Sequence, residues 1–516
     1  MPLSRLDSRT HSDDLALARN RFKWTFILSL VLKLWLAAFF PMTADEAFFY
    51  QWGVYPDWGY YDHPPMVGWL LSLLNPISSH PLSLRLVTVF LWSSIALGMV
   101  DLLQRLAPTH ATHAYGLGSL FLALPFTWSI TLITSDTPLI LFMFASGYCF
   151  IRATLSEHKT WYAASGAFLG LALLSKYFAG LLAMAYFVYL VRTPKQRLNL
   201  IILALCALPF SAINVVYNAN HCWNNVMFNL VNRHEGAHWS FGTVTLYLVM
   251  MVYLLTPWVS LKLVRSYRAL WQHGALVVLF ALPFALFMLL STQKVIGLHW
   301  VLGFMPFLFL FVGTQSSPDE LRKYFRWSLW LSVPHVLALA ALILLPLSAW
   351  EDTGAYKGIV FHKETKKIVA ALRTNLAPDA VVMARSYTPA SLLSYHAGEY
   401  WAVFGMGNYH ARQDDIIVDF REYAGRPIRV FDKSPMDLDQ LAPYFESIAS
   451  GSFTLAGVQY WYADGKNFNY PIYRERVLKK IAEQYYQIPA LLPVYACPFL
   501  QRYDLEGCGA PDSATQ

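Results

Sequence analysis

Residues 274–291 read GALVVLFALPFALFMLLS, an apolar run of eighteen residues without a charged side chain. A run of this length predicts a helix that crosses a bilayer, because about 20 residues at 1.5 Å each span the hydrocarbon core. Ten similar runs cover residues 24–40, 84–103, 115–133, 137–153, 160–174, 177–191, 199–217, 243–262, 296–313 and 326–348. The sequence therefore predicts an all-α polytopic membrane protein with about eleven transmembrane helices.

The composition points to the same class of protein. Hydrophobic residues make up 56% of the 516 residues and charged residues 14%, against about 25% charged residues in soluble domains. The net charge of +7 does not indicate nucleic-acid binding, because the basic residues fall in short loops beside apolar runs. We therefore expect membrane lipid around the chain and no nucleic-acid partner.

The basic residues also predict the orientation in the membrane, since Lys and Arg concentrate in cytoplasmic loops. With a cytoplasmic N-terminus, the outer loops carry few cations, mainly Lys176, Arg233 and Lys294. One continuous helix over residues 160–191 would reverse every later loop. The sequence therefore favours a hairpin of two short helices that turns near Lys176, and an odd number of spans then places the C-terminal end outside.

The composition changes at about residue 350, where polar residues become frequent and apolar runs of spanning length end. We predict a transmembrane domain at residues 1–349, with a first outer loop at 41–82, and a soluble extracytoplasmic α/β domain at residues 350–516. Strands are predicted at 380–384 and 428–431, and helices at 362–376, 437–447 and 474–486.

The five cysteines define no disulfide framework. Cys149 and Cys206 fall in apolar runs, where packing is enough to explain them. Cys497 and Cys508 fall in the tail and could pair if the tail lies in an oxidising compartment. The sequence leaves this pairing open.

The first outer loop contains acidic and aromatic residues but no Lys or Arg. Adjacent carboxylates suit general-base catalysis, because one charge raises the pKa of its neighbour. Aromatic rings offer apolar faces that stack on sugars. The loop therefore predicts catalytic acids at Asp45 and Glu46, and it predicts substrate-binding residues at Tyr60, Tyr61, Asp62 and His63.

A second outer turn, residues 134–138, holds Asp136 between two apolar runs. Asp136 is a candidate catalytic acid at the membrane surface. The alternative is a helix N-cap, because Asp before Pro commonly starts a helix. The sequence favours neither interpretation, and both roles are compatible.

Four side chains on the outer segments could bind the phosphate of a lipid-linked donor at the bilayer surface. For each residue alone, snorkelling to the membrane interface is the simpler explanation. The hypothesis of a phosphate site depends on the predicted outer side, which these residues share with the acids. The candidates are Lys176, Arg233, Lys294 and His299.

Two quoted stretches carry a family resemblance. The runs ADEA at 44–47 and DWGYYDHPPM at 57–66 resemble the signature loop of GT-C glycosyltransferases. The likeness is to the bacterial branch related to protein O-mannosyltransferases and to the lipid A aminoarabinose and galacturonic acid transferases. Residues 134–139 resemble its second acidic loop, residues 170–177 its hairpin with a lysine, and residues 299–300 its later His-Trp element.

The resemblance implies many transmembrane helices, an active site that faces the periplasm or lumen, and a polyprenyl-phosphate sugar donor. It maps the presumed base to Asp45, the second-loop acid to Asp136 and a phosphate ligand to Lys176. Arg233, Lys294 and His299 are assigned only from their side and charge. Some GT-C enzymes use a divalent metal and others do not, so a metal cofactor stays possible.

The leading hypothesis is an enzyme of the bacterial inner membrane that moves a sugar from a polyprenyl-phosphate carrier to lipid A or lipopolysaccharide core. Protein O-mannosylation, with a protein acceptor, is the alternative within enzymes. A lipid or sugar transporter or flippase is the alternative from another class. Transporters often contain internal repeats and charged sites near the bilayer midplane, whereas this sequence contains no evident repeat and its acids fall at the predicted outer surface.

Overall fold

The computed structural model describes residues 3–107, 111–231, 239–407 and 413–505, with side chains from residue 13 onward. The chain forms two compact units. The helical unit comprises Met1–Phe40, Ser78–Ala212 and Gly236–Ile343, and the mixed unit comprises Pro41–Ile77, Ile213–Glu235 and Leu344–Gln516. The division into domains at residues 349 and 350 stays a prediction.

Helices dominate the chain up to residue 344. They are α1 (Leu3–Phe39), α2 (Ala44–Val54), α3 (Met66–Leu74), α4 (Pro81–Leu106), α5 (Ala111–Leu122), α6 (Pro125–Ser129), α7 (Asp136–Ser156), α8 (Lys159–Leu173), α9 (Ala179–Arg192), α10 (Asn199–Ala219), α11 (Asn224–Leu230), α12 (Phe241–Leu255), α13 (Pro257–Arg265), α14 (Gly274–Ser291), α15 (Met305–Gln315) and α16 (Pro318–Leu344). Two 3₁₀ helices, at Tyr267–Trp271 and Leu298–Phe304, lie before α14 and α15.

Among the described residues, seven helices are long and apolar enough to cross a membrane, or eight if one bent pair counts as a single span. These helices coincide with predicted apolar runs, and the chain is a multi-pass membrane protein. The other predicted spans differ in form. Run 115–133 is split between α5 and α6, and run 243–262 is bent by 99° between α12 and α13, where Pro257 cannot continue the hydrogen-bond ladder.

The predicted hairpin over residues 160–191 is present. Helix α8 ends at Leu173 and α9 begins at Ala179. Ser165 of α8 and Tyr186 of α9 both hydrogen-bond the Oγ of Ser146 on α7, at 2.8 Å from the Ser165 carbonyl and 2.8 Å from the Tyr186 hydroxyl. Ser165 and Tyr186 lie at nearly equal distances along the chain from the turn, so their shared partner indicates antiparallel helices.

Two buried cations in the helical unit have polar partners. Arg85 donates to the carbonyls of Ala37 and Phe40 at 3.1 and 2.8 Å, and it thereby caps the last turn of α1, where carbonyls lack helical partners. Lys33 donates to Ser93 Oγ at 2.6 Å and so links α1 to α4. Both interactions keep charge and backbone dipoles satisfied inside an apolar bundle.

The C-terminal part of the mixed unit combines short helices with one sheet. The elements are α17 (Tyr356–Lys363), α18 (Thr365–Arg373), β1 (Val381–Ala384), α19 (Tyr387–Ala397), α20 (Asp414–Ile417), β2 (Ile428–Asp432), α21 (Leu438–Leu441), β3 (Phe445–Leu455), β4 (Val458–Phe468), α22 (Tyr470–Tyr473), α23 (Lys479–Tyr485) and α24 (Pro498–Arg502). A π-helical turn, Arg474–Leu478, precedes α23.

The sheet has the strand order β1-β2-β4-β3, with β1 and β2 parallel and the other pairs antiparallel. The two predicted strands are confirmed as β1 and β2, and the C-terminal α/β region is confirmed with them. The predicted helix at 437–447 is wrong beyond Tyr444, because the chain enters β3 at Phe445 and pairs with β4. Pairing along the whole hairpin outweighs local helix propensity there.

Cys497 forms a disulfide with Cys222, so the considered pairing with Cys508 is wrong. Cys508 lies outside the described residues. The Cα atoms of the bonded pair are 4.9 Å apart, across 275 residues of sequence. Cys222 and Trp223 have φ values of 53° and 54°, which non-glycine residues rarely adopt. The disulfide and a 2.8 Å hydrogen bond from Trp223 Nε1 to the Pro493 carbonyl hold this turn before α11.

We expect the Cys222 and Cys497 thiols to resist alkylation in the unfolded, unreduced protein and to react after reduction. Mass spectrometry of the digested protein should identify a reducible link between the peptides that contain these two residues. Cys149, which is buried and free, serves as the control, since denaturation alone should expose its thiol. A link between Cys497 and Cys508 would contradict the structure.

Candidate functional site

The acidic loop of the mixed unit, Pro41–Ile77, begins with a capped helix. Thr43 is the N-cap of α2, and its Oγ1 accepts from the Glu46 N–H at 3.3 Å. Glu46 reaches back, and its Oε2 accepts from the Thr43 N–H at 3.2 Å. This reciprocal pair is a capping box. Glu46 was predicted as a catalytic acid, but its buried carboxylate holds the start of α2.

Asp45 differs from its neighbour because its side chain is exposed. Surrounding protein nevertheless raises the pKa of the Asp45 carboxyl by desolvation, and the negative charges of Glu46 and Asp62 raise the pKa further. A carboxyl that is accessible and has a raised pKa is suited to accept a proton. Asp45 is thus the acid in this loop with the properties of a general base.

The predicted sugar-stacking role of Tyr60 does not agree with its position. The Tyr60 ring is fully buried and stacks on Trp52, with ring centroids 4.3 Å apart. Its hydroxyl donates to the Trp52 carbonyl at 2.9 Å. Gly68 permits this packing, because a Cβ there would lie 2.0 Å from the Tyr60 hydroxyl. Tyr60 builds the loop, and the exposed aromatic ring in this stretch is Trp58, at 62% exposure.

Tyr61 is also fully buried and packs in the core of the mixed unit, with its ring 6.0 Å from Phe228 and 6.5 Å from Tyr486. It cannot offer a ring face to a sugar in this conformation. Asp62 and His63 are buried next to each other, with Asp62 Oδ2 3.1 Å from His63 Nδ1. The burial of these side chains indicates that the turn at residues 60–63 is part of the frame around Asp45.

Three side-chain amides from distant parts of the chain hold the backbone of this turn. Asn225 donates to the Tyr60 carbonyl at 3.0 Å, and Asn229 donates to the Asp62 carbonyl at 2.8 Å. Gln413 accepts from the Tyr61 N–H at 3.0 Å. Three consecutive residues are thereby fixed without regular secondary structure. These amides were not predicted, although the asparagine-rich stretch at 214–229 was an available signal.

The C-terminal part of the chain also packs on the helix that carries Asp45. Phe48 of α2 meets Tyr387 of α19 edge to face, with centroids 5.3 Å apart. Tyr50 meets Tyr395 in the same way at 5.0 Å. Helix α19 therefore buries one face of α2 and helps to fix the direction in which Asp45 points.

The helical unit has a cluster of its own around Asp136. Lys176 Nζ donates to both carboxylate oxygens of Asp136, at 3.0 and 3.1 Å, and both side chains are buried. Asp136 is the first residue of α7, so the N-cap interpretation is wrong: Ser135 occupies that position, and Thr134 Oγ1 accepts the Asp136 N–H at 3.3 Å. The carboxylate still favours the positive end of the helix dipole.

The other predicted cations of the helical unit lie near this ion pair, His299 directly and Lys294 by way of aromatic rings. His299 Nε2 lies 3.9 Å from Asp136 Oδ2. Lys176 lies 5.5 Å from the Phe178 ring, which is 4.8 Å from the Trp300 ring. Lys294 Nζ lies 5.6 Å from the centroid of the same Trp300 ring. The structure thus brings together Asp136, Lys176, Lys294 and His299.

Arg233 lies outside the described residues. Within the described part of the chain, no group of three or more His, Cys, Asp and Glu side chains is arranged to hold a metal ion. The first loop contains a signal that was not used for prediction. Residues 43–46 read Thr-x-x-Glu, the pattern of a capping box. It distinguishes the structural acid, Glu46, from the accessible one, Asp45.

Comparison with known proteins gives a family match and a fold match. Residues 62–217 match the family model of dolichyl-phosphate-mannose-protein mannosyltransferase, while no curated protein matches the chain. The crystal structure of ArnT from Cupriavidus metallidurans in the apo state is 16% identical, with a TM-score of 0.58 over 85% of this chain and 97% of that chain. The form bound to undecaprenyl phosphate is 15% identical, with a TM-score of 0.60 and the same coverage.

The fold is therefore that of the GT-C membrane glycosyltransferases, and the family match over residues 62–217 indicates a transferase. Within the superfamily, the segment at residues 62–217 is similar to the protein mannosyltransferases. These findings confirm the resemblance on which the sequence analysis relied, and they confirm the predicted fold class. The roles of individual site residues stay predictions.

We expect Asp136→Asn to lower the free energy of unfolding by about 3–5 kcal/mol, because it leaves the buried Lys176 ammonium without its counter-charge. Adding Lys176→Met should recover part of this loss, as expected for two residues that interact directly. The measurement is thermal unfolding of the detergent-solubilised protein. Asp101→Asn is the matched control: its pair with Arg105 is largely exposed and should contribute less than about 1 kcal/mol. Equal losses for both variants would contradict the buried-pair interpretation.

We expect Gln413→Ala to increase hydrogen exchange at the Tyr61 amide roughly threefold to tenfold, the effect of losing one hydrogen bond of about 1 kcal/mol. Hydrogen–deuterium exchange of peptides that cover residues 55–66 measures this change. Asn220→Ala is the control, because the Asn220 side chain bonds the Val216 carbonyl of the preceding helix, α10, and not the turn. Unchanged exchange in the Gln413 variant would mean that this amide does not fix the turn.

Proposed function

We propose that this protein transfers a sugar from a polyprenyl-phosphate carrier to an extracytoplasmic acceptor, with lipid A or lipopolysaccharide core as the preferred acceptor. The observation that carries the proposal is Asp45, an exposed carboxyl with a raised pKa at the start of a capped helix. A hydroxyl group that accepts a sugar must lose its proton, and a carboxyl of this kind can remove it. The GT-C fold supplies the reaction class.

Asp45 acts as the general base. It removes the proton from the acceptor hydroxyl while the hydroxyl oxygen forms a bond to the anomeric carbon of the donor sugar. The bond between this carbon and the phosphate oxygen breaks, and its electron pair leaves with the polyprenyl phosphate. The products are the glycosylated acceptor, the polyprenyl phosphate and protonated Asp45, so atoms and charge balance.

Lys176 is assigned to the donor phosphate. Its ammonium has three N–H donors, and Asp136 accepts two hydrogen bonds from it. Asp136 thus positions Lys176 and leaves donor capacity for a phosphate oxygen, whose developing charge the cation stabilises. Lys294 and His299 add positive or polar character to the cluster, and Arg233 is assigned with them on charge alone. The likeness to ArnT, whose bound form holds undecaprenyl phosphate, supports this class of donor.

The proposed location is the bacterial inner membrane, with a cytoplasmic N-terminus and a periplasmic active site and C-terminal region. The distribution of Lys and Arg supports this orientation. The disulfide between Cys222 and Cys497 supports it independently, because disulfides persist in oxidising compartments such as the periplasm. A lipid-linked donor fits this side, where nucleotide sugars are absent.

A protein acceptor is the second candidate, and the family match favours it, since the matching model is named for protein mannosyltransferases. The donor chemistry and the assigned residues would be the same. The two candidates differ only in the fraction of the cell envelope that gains the sugar. A glycolipid acceptor is preferred because the first-loop signature at residues 44–66 resembles the branch that includes the lipid A transferases.

Mass spectrometry of lipid A and core glycolipids tests the proposal in cells that carry the wild-type gene, a deletion, Asp45→Asn or Asp57→Asn. We expect a one-sugar mass difference with the wild type and with Asp57→Asn, a control in the same loop. Asp45→Asn should lower the transfer rate by roughly 10²–10⁴-fold, the usual contribution of a general base. Sugar gain only on envelope proteins would favour the protein acceptor, and full activity of Asp45→Asn in a folded protein would refute the assigned base.

The pH profile of the purified enzyme provides a second arm of this experiment. An ordinary aspartate has a pKa of about 3.9. Because the pKa of Asp45 is raised, its basic form is lost at a higher pH than that of an ordinary aspartate. We therefore expect kcat/KM to fall as the pH decreases through this raised value. Asp62→Asn removes one neighbouring negative charge and should move the acidic limb to lower pH. A limb that does not move would contradict the proposed coupling.

A further inference from the structure

The helical unit contains a groove of about 1020 Å³ among α1, α4 and the start of α5. It lies entirely within this unit and includes none of the residues assigned to sugar transfer. Its walls are mostly apolar, but charged and amide side chains line part of it. The arrangement of these two kinds of residue along the helix axes indicates what the groove binds.

Contacts between α1 and α4 give the direction of the groove. A Cβ on Gly118 would meet both Phe22 and Val100, at 2.6 and 2.8 Å, so these two residues lie at one level. Further along α1, Lys33 is at the level of Ser93. Increasing residue number in α1 therefore corresponds to decreasing number in α4, and the two helices run antiparallel through the bundle.

Polarity changes along this direction. Arg19, Asn20 and Lys23 of α1 lie at the same end of the groove as Gln104 of α4. Phe26 and Ile27 lie further into the apolar part of the span, at the level of Leu97. The groove thus carries two cations toward one end, while Phe26, Ile27 and Leu97 line an apolar channel toward the other. A phospholipid has the same division between its headgroup and its acyl chains.

The charge at the polar end favours an anionic headgroup. Arg19 and Lys23 are exposed, and within the described residues neither forms an ion pair. The nearby Asp101 is held by Arg105 at 2.7 Å. Arg19 and Lys23 therefore leave two positive charges available to an anionic headgroup.

We propose that this groove binds an anionic phospholipid, with the headgroup phosphate at Arg19 and Lys23 and an acyl chain along Phe26, Ile27 and Leu97. Basic side chains beside a transmembrane helix attract anionic lipids by about 1 kcal/mol for each charge. The apolar channel adds acyl-chain burial, which a free phosphate ion does not use. The site is independent of the sugar-transfer reaction.

The test uses the purified full-length protein, incubated with equimolar phosphatidylglycerol and phosphatidylcholine, and native mass spectrometry of the retained lipids. The wild type should retain phosphatidylglycerol preferentially. Arg19→Gln with Lys23→Gln should lower this preference by roughly thirtyfold, the ratio that corresponds to about 1 kcal/mol for each of two charges. Lys195→Gln with Arg197→Gln is the matched control, since both residues are exposed and lie outside the groove.

A third variant tests the acyl channel separately from the charge. Leu97→Trp fills the channel with the cations intact, and it should release bound phosphatidylglycerol without a change in thermal unfolding before lipid is added. Equal loss in the control pair would reduce the preference to a general effect of net charge and overturn the proposal. Full retention by the Leu97 variant, or equal retention of both lipids by the wild type, would also overturn it.

Discussion

A charge buried among apolar helices is stable only with a partner, and the ion pair of Lys176 with Asp136 is where this constraint organises the helical unit. The 3.0 Å contact joins the turn between α8 and α9 to the first residue of α7. It therefore fixes the end of the hairpin, while Ser146 fixes its middle. Arg85 satisfies the same constraint without an acid, because the carbonyl dipoles at the end of α1 stabilise its charge.

The mixed unit solves a different problem. The loop after α2 has no ladder of backbone hydrogen bonds, yet buried backbone groups must be satisfied. Asn225, Asn229 and Gln413 provide the missing partners, and the disulfide from Cys222 fastens the start of α11 to the C-terminal segment. The C-terminal part of the chain thereby helps to hold the acidic loop in place.

The sequence predicted what local patterns determine: most of the apolar spans, the break near Lys176, β1 and β2. It could not predict features that depend on distant partners. Tyr60 and Tyr61 look like sugar platforms in the sequence, but Gly68 and Phe228 bury them. Cys222 and Cys497 are 275 residues apart. Strand β3 was missed because its polar residues face solvent and only pairing with β4 stabilises it.

Asp45 and Asp136 show why residue type and position alone do not assign a catalytic role. Each lies in the first turn of a helix, where the dipole favours a carboxylate. Asp136 is paired with Lys176, whose ammonium donates to both of its carboxylate oxygens. Asp45 is exposed, and its pKa is raised first by desolvation and then by the negative charges of Glu46 and Asp62. The different surroundings of the two acids are consistent with the proposed roles, proton transfer for Asp45 and the orientation of a cation for Asp136. This distinction depends on which side chains the fold brings near each acid.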